Sequence, residues 1–129
     1  MVTFALIEIK EIRGRLKIFK LKVNESCEYD KFEQEIEKEG NLRSELRTIE
    51  TRLHEIADCK SLPRNKFRDI TPKKDNNKEY EIKTPNLRVY LFHDKQAGRV
   101  IVCGGKKGTQ QSDIKHFRKI KQIYFNQKP

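Results

Sequence analysis

Apolar residues recur along the chain with two different periods, and the changes of period mark its elements. Residues 2–9 (VTFALIEI) and 15–23 (RLKIFKLKV) read as strands. In the second run Leu16 and Ile18 share one phase, while Phe19, Leu21 and Val23 share the other. Such a shift predicts either a bulge or a strand covered on both faces. Gly14 lies between the runs as a weak hairpin-turn signal. Residues 28–39 put Tyr29, Phe32 and Ile36 on one face of a short helix. Gly40 is a natural stop and Asn41 a cap for the next helix. Residues 42–57 carry the clearest helical stripe, with Leu42, Leu46, Ile49, Leu53 and Ile56 in register. So short a connection predicts an antiparallel helix hairpin. His54 sits beside the stripe and reads as a packed or surface histidine.

After Pro63 the pattern is polar. Residues 64–78 (RNKFRDITPKKDNNK) read as a basic loop. Three strands follow over 79–83, 87–93 and 99–103, with turns at 84–86 and 94–98, and Gly104 with Gly105 breaks the third. The continuous runs VYLF and VIV predict central strands buried on both faces. Residues 112–125 read as a last helix capped by Ser112, with Ile114, Phe117, Ile120 and Ile123 or Tyr124 inward. Helices run together and then strands, which predicts an α+β fold: a small antiparallel-rich sheet, a helix hairpin on one face and a C-terminal helix. The 129 residues make one domain, since two cores would be too small to hold.

Composition narrows the function classes. Leu, Ile, Val and Phe make up 34 of the 129 residues, enough to fold around a lean core. No apolar run approaches the ~18 residues that cross a bilayer, and Glu8, Lys10 and Glu11 interrupt any leader-like stretch. Cys27, Cys59 and Cys103 are odd in number and lack metal or disulfide spacing, which fits a reducing cytoplasm. His54, His93 and His116 lie far apart, so no structural metal and no cofactor are expected. The net charge is +10, and its distribution is uneven. Residues 1–59 hold 11 Lys and Arg against 13 Asp and Glu; residues 60–129 hold 18 against 6, a net +12. A field this concentrated selects a polyanion, and nucleic acid is the commonest one.

One stretch carries a family resemblance. Tyr80, Glu81, Ile82 and Lys83 are followed by Leu87, Arg88, Val89 and Tyr90, then by Val100, Ile101 and Val102, then by KKGTQQSDI over 106–114. This succession resembles the RelE/ParE toxin superfamily, nearest its HigB-like, phage-derived branch. The resemblance spans roughly residues 16–124, and its specific part is 80–114. Cys103, Gly104 and Gly105 replace that branch's Leu-His-Gly-Phe, and Lys83 replaces an arginine. Residues 1–14 precede the usual start and would form an added edge strand or reflect a late-start artefact. The resemblance implies a RelE-like fold and the toxin of a type II toxin–antitoxin pair. Its partners would be a cognate antitoxin, messenger RNA and the ribosome, with no membrane. The RelE and HigB branches cleave mRNA in the ribosomal A site; the ParE branch inhibits gyrase and lacks nuclease residues. A basic RNA-binding module is the plainest alternative.

Metal-free RNA cleavage needs a base for the 2′-OH, an acid for the 5′-oxygen and positive charge on the phosphate. The candidates for this chemistry are Lys83, Arg88, Lys106, Lys107 and His116. Arg88 lies between apolar residues of a central strand, where a guanidinium needs an anion: a scissile phosphate or a carboxylate such as Glu81. Gly104 and Gly105 before Lys106 and Lys107 would let an anion approach a helix N-terminus. His116 would titrate near working pH. Arg64, Lys66, Arg68, Lys73 and Lys74 would grip the RNA backbone. Tyr90 offers a stacking surface, though its place in the central strand also suits a core role.

Overall fold

The computed structural model describes residues 1–127. Two strands, β1 (Phe4–Glu8) and β2 (Ile18–Val23), come first. The helix hairpin follows, α1 (Glu28–Glu39) and α2 (Arg43–Ala57). Then come β3 (Phe67–Asp69), β4 (Glu79–Lys83), β5 (Leu87–Asp94), β6 (Gly98–Lys106), a 3-10 turn (Lys107–Thr109) and α3 (Gln110–Gln127). The strands form one six-stranded sheet in the order β1-β2-β6-β5-β4-β3. Only β2 and β6 run parallel; all other neighbours are antiparallel. This is an α+β fold with a mixed, mostly antiparallel sheet. No helix among the described residues is long and apolar enough to cross a membrane.

The sheet is covered on both faces. On one, Tyr29, Phe32 and Ile36 of α1 and Leu46, Ile49 and Leu53 of α2 pack on Ile18, Val89, Leu91 and Ile101. On the other, Phe117, Ile120 and Tyr124 of α3 pack on Leu21, Tyr90, Phe92 and Val100. Each fully buried Leu, Ile or Phe contributes ~1.5–3 kcal/mol, so the sheet centre dominates stability. The runs VYLF and VIV are buried in full, as central strands require. Gly40 closes α1 with φ 87°, the left-handed cap its sequence predicts.

Several local expectations are corrected. The third predicted strand does not stop at Gly104 and Gly105; β6 continues through both to Lys106. The phase shift in β2 marks a strand covered on both faces, as the second sequence alternative has it, with Ile18 in the α1–α2 cluster and Leu21 in the α3 cluster; a bulge lies in β6, where Tyr90 faces Cys103 and Leu91 faces Ile101, so Val102 has no opposite residue. Ile18 starts β2, and Leu16 lies before it with its N–H bonded to the Ala57 carbonyl, 2.8 Å away. The basic 64–78 segment contains β3, where Phe67 stacks on Tyr80 at 5.0 Å. Asn41 and Ser112 are not N-caps: Leu42 precedes α2, and Ser112 lies inside α3.

Gly14 does not form a tight turn either. A Cβ there would lie 2.6 Å from the Ala57 main chain, so glycine lets the β1–β2 connection press on the end of α2. Residues 1–14 thus supply an edge strand, β1, whose Phe4 ring meets Tyr124 at 5.5 Å.

Candidate functional site

Alternation along β4 and β5 stacks side chains in rows across the α3 face. The outermost row, at the sheet end, pairs Lys83 with Arg88 and Arg88 with Gly105. The next contains Arg68, Glu81, Tyr90 and Cys103. Beyond it lie Glu79, Phe92 and Val100. β4 therefore presents Glu79, Glu81 and Lys83 inward beneath α3, and both glutamates are fully buried. Buried carboxylates need partners. Glu79 receives Arg118 Nε at 2.7 Å and Lys121 Nζ at 2.7 Å. Glu81 receives Arg68 Nη2 at 3.1 Å and Gln110 Nε2 at 2.6 Å.

Arg88 is 5% exposed and has no carboxylate partner among the described residues. Its Nη1 donates to the carbonyls of Thr84 at 2.7 Å and Leu87 at 2.8 Å. Its Nε is enclosed without a hydrogen-bond partner among the described residues, as is the Tyr90 hydroxyl two residues on. The sequence alternative of an Arg88–Glu81 ion pair is not what forms; Arg68 and Gln110 take that carboxylate. Burial first, then Glu81 and Asp113, push the Tyr90 phenol well above its ordinary value, so it stays a proton donor. The first turn of α3 covers these rows, with Gln110 on Glu81 and Asp113 over Gly105.

Glu45 of α2 holds the turn that anchors Arg88. Its carboxylate accepts from the Thr84 hydroxyl, from Asn86 N at 2.8 Å and from Asn86 Nδ2 at 2.8 Å. The Lys107 N–H bonds the Asn86 carbonyl at 2.9 Å, which brings the start of the 3-10 turn to the same sheet end. Lys83, Arg88 and Lys107 are thereby brought to one edge. The Lys83 N–H also bonds the Lys66 carbonyl at 2.8 Å, so Lys66 adjoins that edge.

Lys106 and His116 are drawn elsewhere. Lys106 Nζ lies 2.8 Å from Glu39 of α1. His116 Nε2 lies 2.9 and 3.0 Å from the two oxygens of Glu28. Both partners line a groove of about 470 Å³ between α1 and α3, with Glu35 and Asp113 on its walls. Carboxylates outnumber lysines there, so the groove does not favour a phosphate. The two glycines above it serve packing: a Cβ on Gly104 would lie 2.7 Å from the Phe32 ring, and one on Gly105 2.0 Å from Asp113 Oδ2.

Among the remaining candidates, Arg64, Lys66, Lys73 and Lys74 are exposed, and Arg68 is half-buried against Glu81. Tyr90 is fully buried with its ring stacked on Phe117 at 5.8 Å, so the described conformation gives a base no ring face. Sequence reasoning missed Glu45, Glu79, Gln110 and Lys121. The signal for two of them was present: charges at 79, 81 and 83 in strict alternation, opposite basic positions one turn apart on the last helix.

Taken together, fold and site define an α+β protein whose sheet end carries a buried arginine with no carboxylate partner among the described residues and with Lys83 opposite it in the β4–β5 register. No protein-family model, curated protein or solved structure matches this chain.

Proposed function

We propose that this chain is a toxin of the RelE/HigB type that cleaves messenger RNA on the ribosome, and that Lys83, Arg88 and Lys107 form its phosphate-stabilising site. Arg88 carries the reading. Two main-chain carbonyls fix its guanidinium while Nε–H keeps no partner. A preset cation with an unused donor is what a crowded phosphate needs, because that charge grows in the transition state. Lys83 is its register neighbour, and the main chain of Lys107 is bonded to the adjoining turn. Net +12 over residues 60–129 supports RNA as the polyanion. An RNA strand reaches Arg88 once the first turn of α3 lifts, and Gln110–Glu81 is the contact that opens.

The lean acid–base set favours one alternative, an RNA-binding module without cleavage, because His116 and Lys106 face carboxylates. Induced expression in bacteria with primer-extension mapping of mRNA ends separates the two. The toxin reading expects growth arrest and new cuts within translated frames, both abolished by Arg88→Gln in a chain whose far-UV spectrum is unchanged. Growth arrest without cuts, or cuts that persist in the variant, would count against it.

A further inference from the structure

The opposite end of the sheet carries a second concentration of positive charge that the Arg88 row does not use. Arg15, Lys17, His93 and Lys95 line a groove of about 440 Å³ whose walls contain no acidic side chain among the described residues. It is built by a close approach. Gly98 has φ 139°, and a Cβ there would lie 2.4 Å from the Lys17 carbonyl. Only glycine lets the β5–β6 turn meet the 15–17 segment, where Arg99 N–H bonds the Lys17 carbonyl at 3.0 Å.

Arg99 stands opposite His93 in the β5–β6 register, and its guanidinium lies 4.2 Å from the Tyr80 ring centroid. Its Nε and Nη1, and His93 Nδ1, are enclosed without hydrogen-bond partners among the described residues. None of Arg15, Lys17, Lys95 and Arg99 has an ion-pair partner among those residues. The neighbouring Asp94 is turned to the main-chain N–H groups of Gln96 and Ala97 and to the Tyr124 hydroxyl. Burial, then Arg99, hold the His93 imidazole below its ordinary value, and the cations on the groove walls are Arg15, Lys17 and Lys95. Among the described residues the exposed large apolar side chains are Met1 and Ile7, and neither lines the groove.

We infer that this groove binds the phosphodiester backbone of single-stranded RNA through Arg15, Lys17 and Lys95, as a contact separate from the Arg88 row. The choice of RNA among polyanions rests on the function proposed above. The two places lie on opposite sheet faces, and their β5 residues, Arg88 and His93, are five positions apart, about 17 Å along the strand. The groove therefore holds RNA without taking part in cleavage.

The test is fluorescence anisotropy with a labelled 2′-O-methyl oligouridylate of about 20 nucleotides, an RNA mimic that 2′-OH attack cannot cut, titrated with the full chain across a series of KCl concentrations. Each lost phosphate contact on a single strand lowers the salt slope by about 0.7. Lys17→Gln with Lys95→Gln, both at exposed positions, should lower it by about 1.4. With the electrostatic part vanishing near 1 M, that is roughly 25-fold weaker binding at 0.1 M. Lys38→Gln with Lys119→Gln, the same charge change elsewhere on the surface, should leave the slope unchanged. Equal slopes for the wild type and the groove variant would overturn the inference. So would an equal drop in the control variant, or wild-type binding to phosphatidylserine vesicles but not to the oligonucleotide. The expected slopes in a chain that never cuts ribosomal mRNA would uphold the groove and overturn the nuclease reading alone.

Discussion

At Gly104 a single methyl group would sit 2.7 Å from the Phe32 ring, closer than carbon atoms pack. Gly104→Ala should therefore cost about 1–3 kcal/mol in denaturant unfolding, with part recovered when Phe32→Leu opens the space. An alanine variant as stable as the wild type would show that α1 does not press on β6 there. Glu45 supplies a second test. Burial alone would raise its carboxyl, but hydrogen bonds from Thr84, Asn86 and Leu87 outweigh that and hold it below the usual carboxylate range. A group with a depressed folded value adds stability above its unfolded value and loses it as pH falls through the folded one. The stability gap between wild type and Glu45→Gln should thus shrink as pH drops from about 5 to about 3. A gap that stays constant over that range would remove Glu45 as the clamp of the Arg88 turn. Arg88 was legible in the sequence as a cation among apolar residues of a central strand. Its partners were not, because main-chain carbonyls leave no mark in a residue pattern.

α3 is held to β4 by charge as well as by its apolar stripe. Lys121 is 4% exposed and donates to Glu79, to Asp75 at 2.9 Å and to the Asn77 carbonyl at 2.6 Å. Removing one member of a buried pair strands the other, so Lys121→Met should cost about 3 kcal/mol and lower Tm by roughly 10 °C. Arg118→Met, at a side chain 42% exposed, should cost about 1 kcal/mol or less. Thermal melts of the two variants decide this, and equal losses would contradict the ranking. The helices and β4 to β6 were legible because period 3.6 and continuous apolar runs are strong signals. β3 was not, since three residues with one apolar member carry no period and its existence depends on pairing with β4. The bulge in β6 was equally silent: VIV reads the same whether or not one of its residues is skipped by the partner strand.

Across the whole molecule, acidic residues gather on α1 and α2 while the second half carries the net +12. The groove between α1 and α3 draws Lys106 and His116 to carboxylates, while at the Lys83–Arg88 edge the Glu45 carboxylate is taken up by Thr84 and Asn86. The sequence reading named five candidate residues, four of them within the resemblance over 80–114, without regard to which helix would lie beside each. That depends on how α1 and α3 close over the two faces, and it is the part of the site the chain order hides. The central claim is that phosphate stabilisation belongs to the Arg88 row. Single-turnover cleavage of mRNA on programmed ribosomes tests it most directly, at saturating protein. Arg88→Lys should slow cleavage by about 10²-fold or more. Lys106→Gln and His116→Gln, each relieved of its carboxylate partner, should stay within about threefold of the wild type, since neither loses a transition-state contact. A fast Arg88→Lys variant alongside slow Lys106→Gln and His116→Gln variants would contradict the account and move the chemistry to the other side of β6.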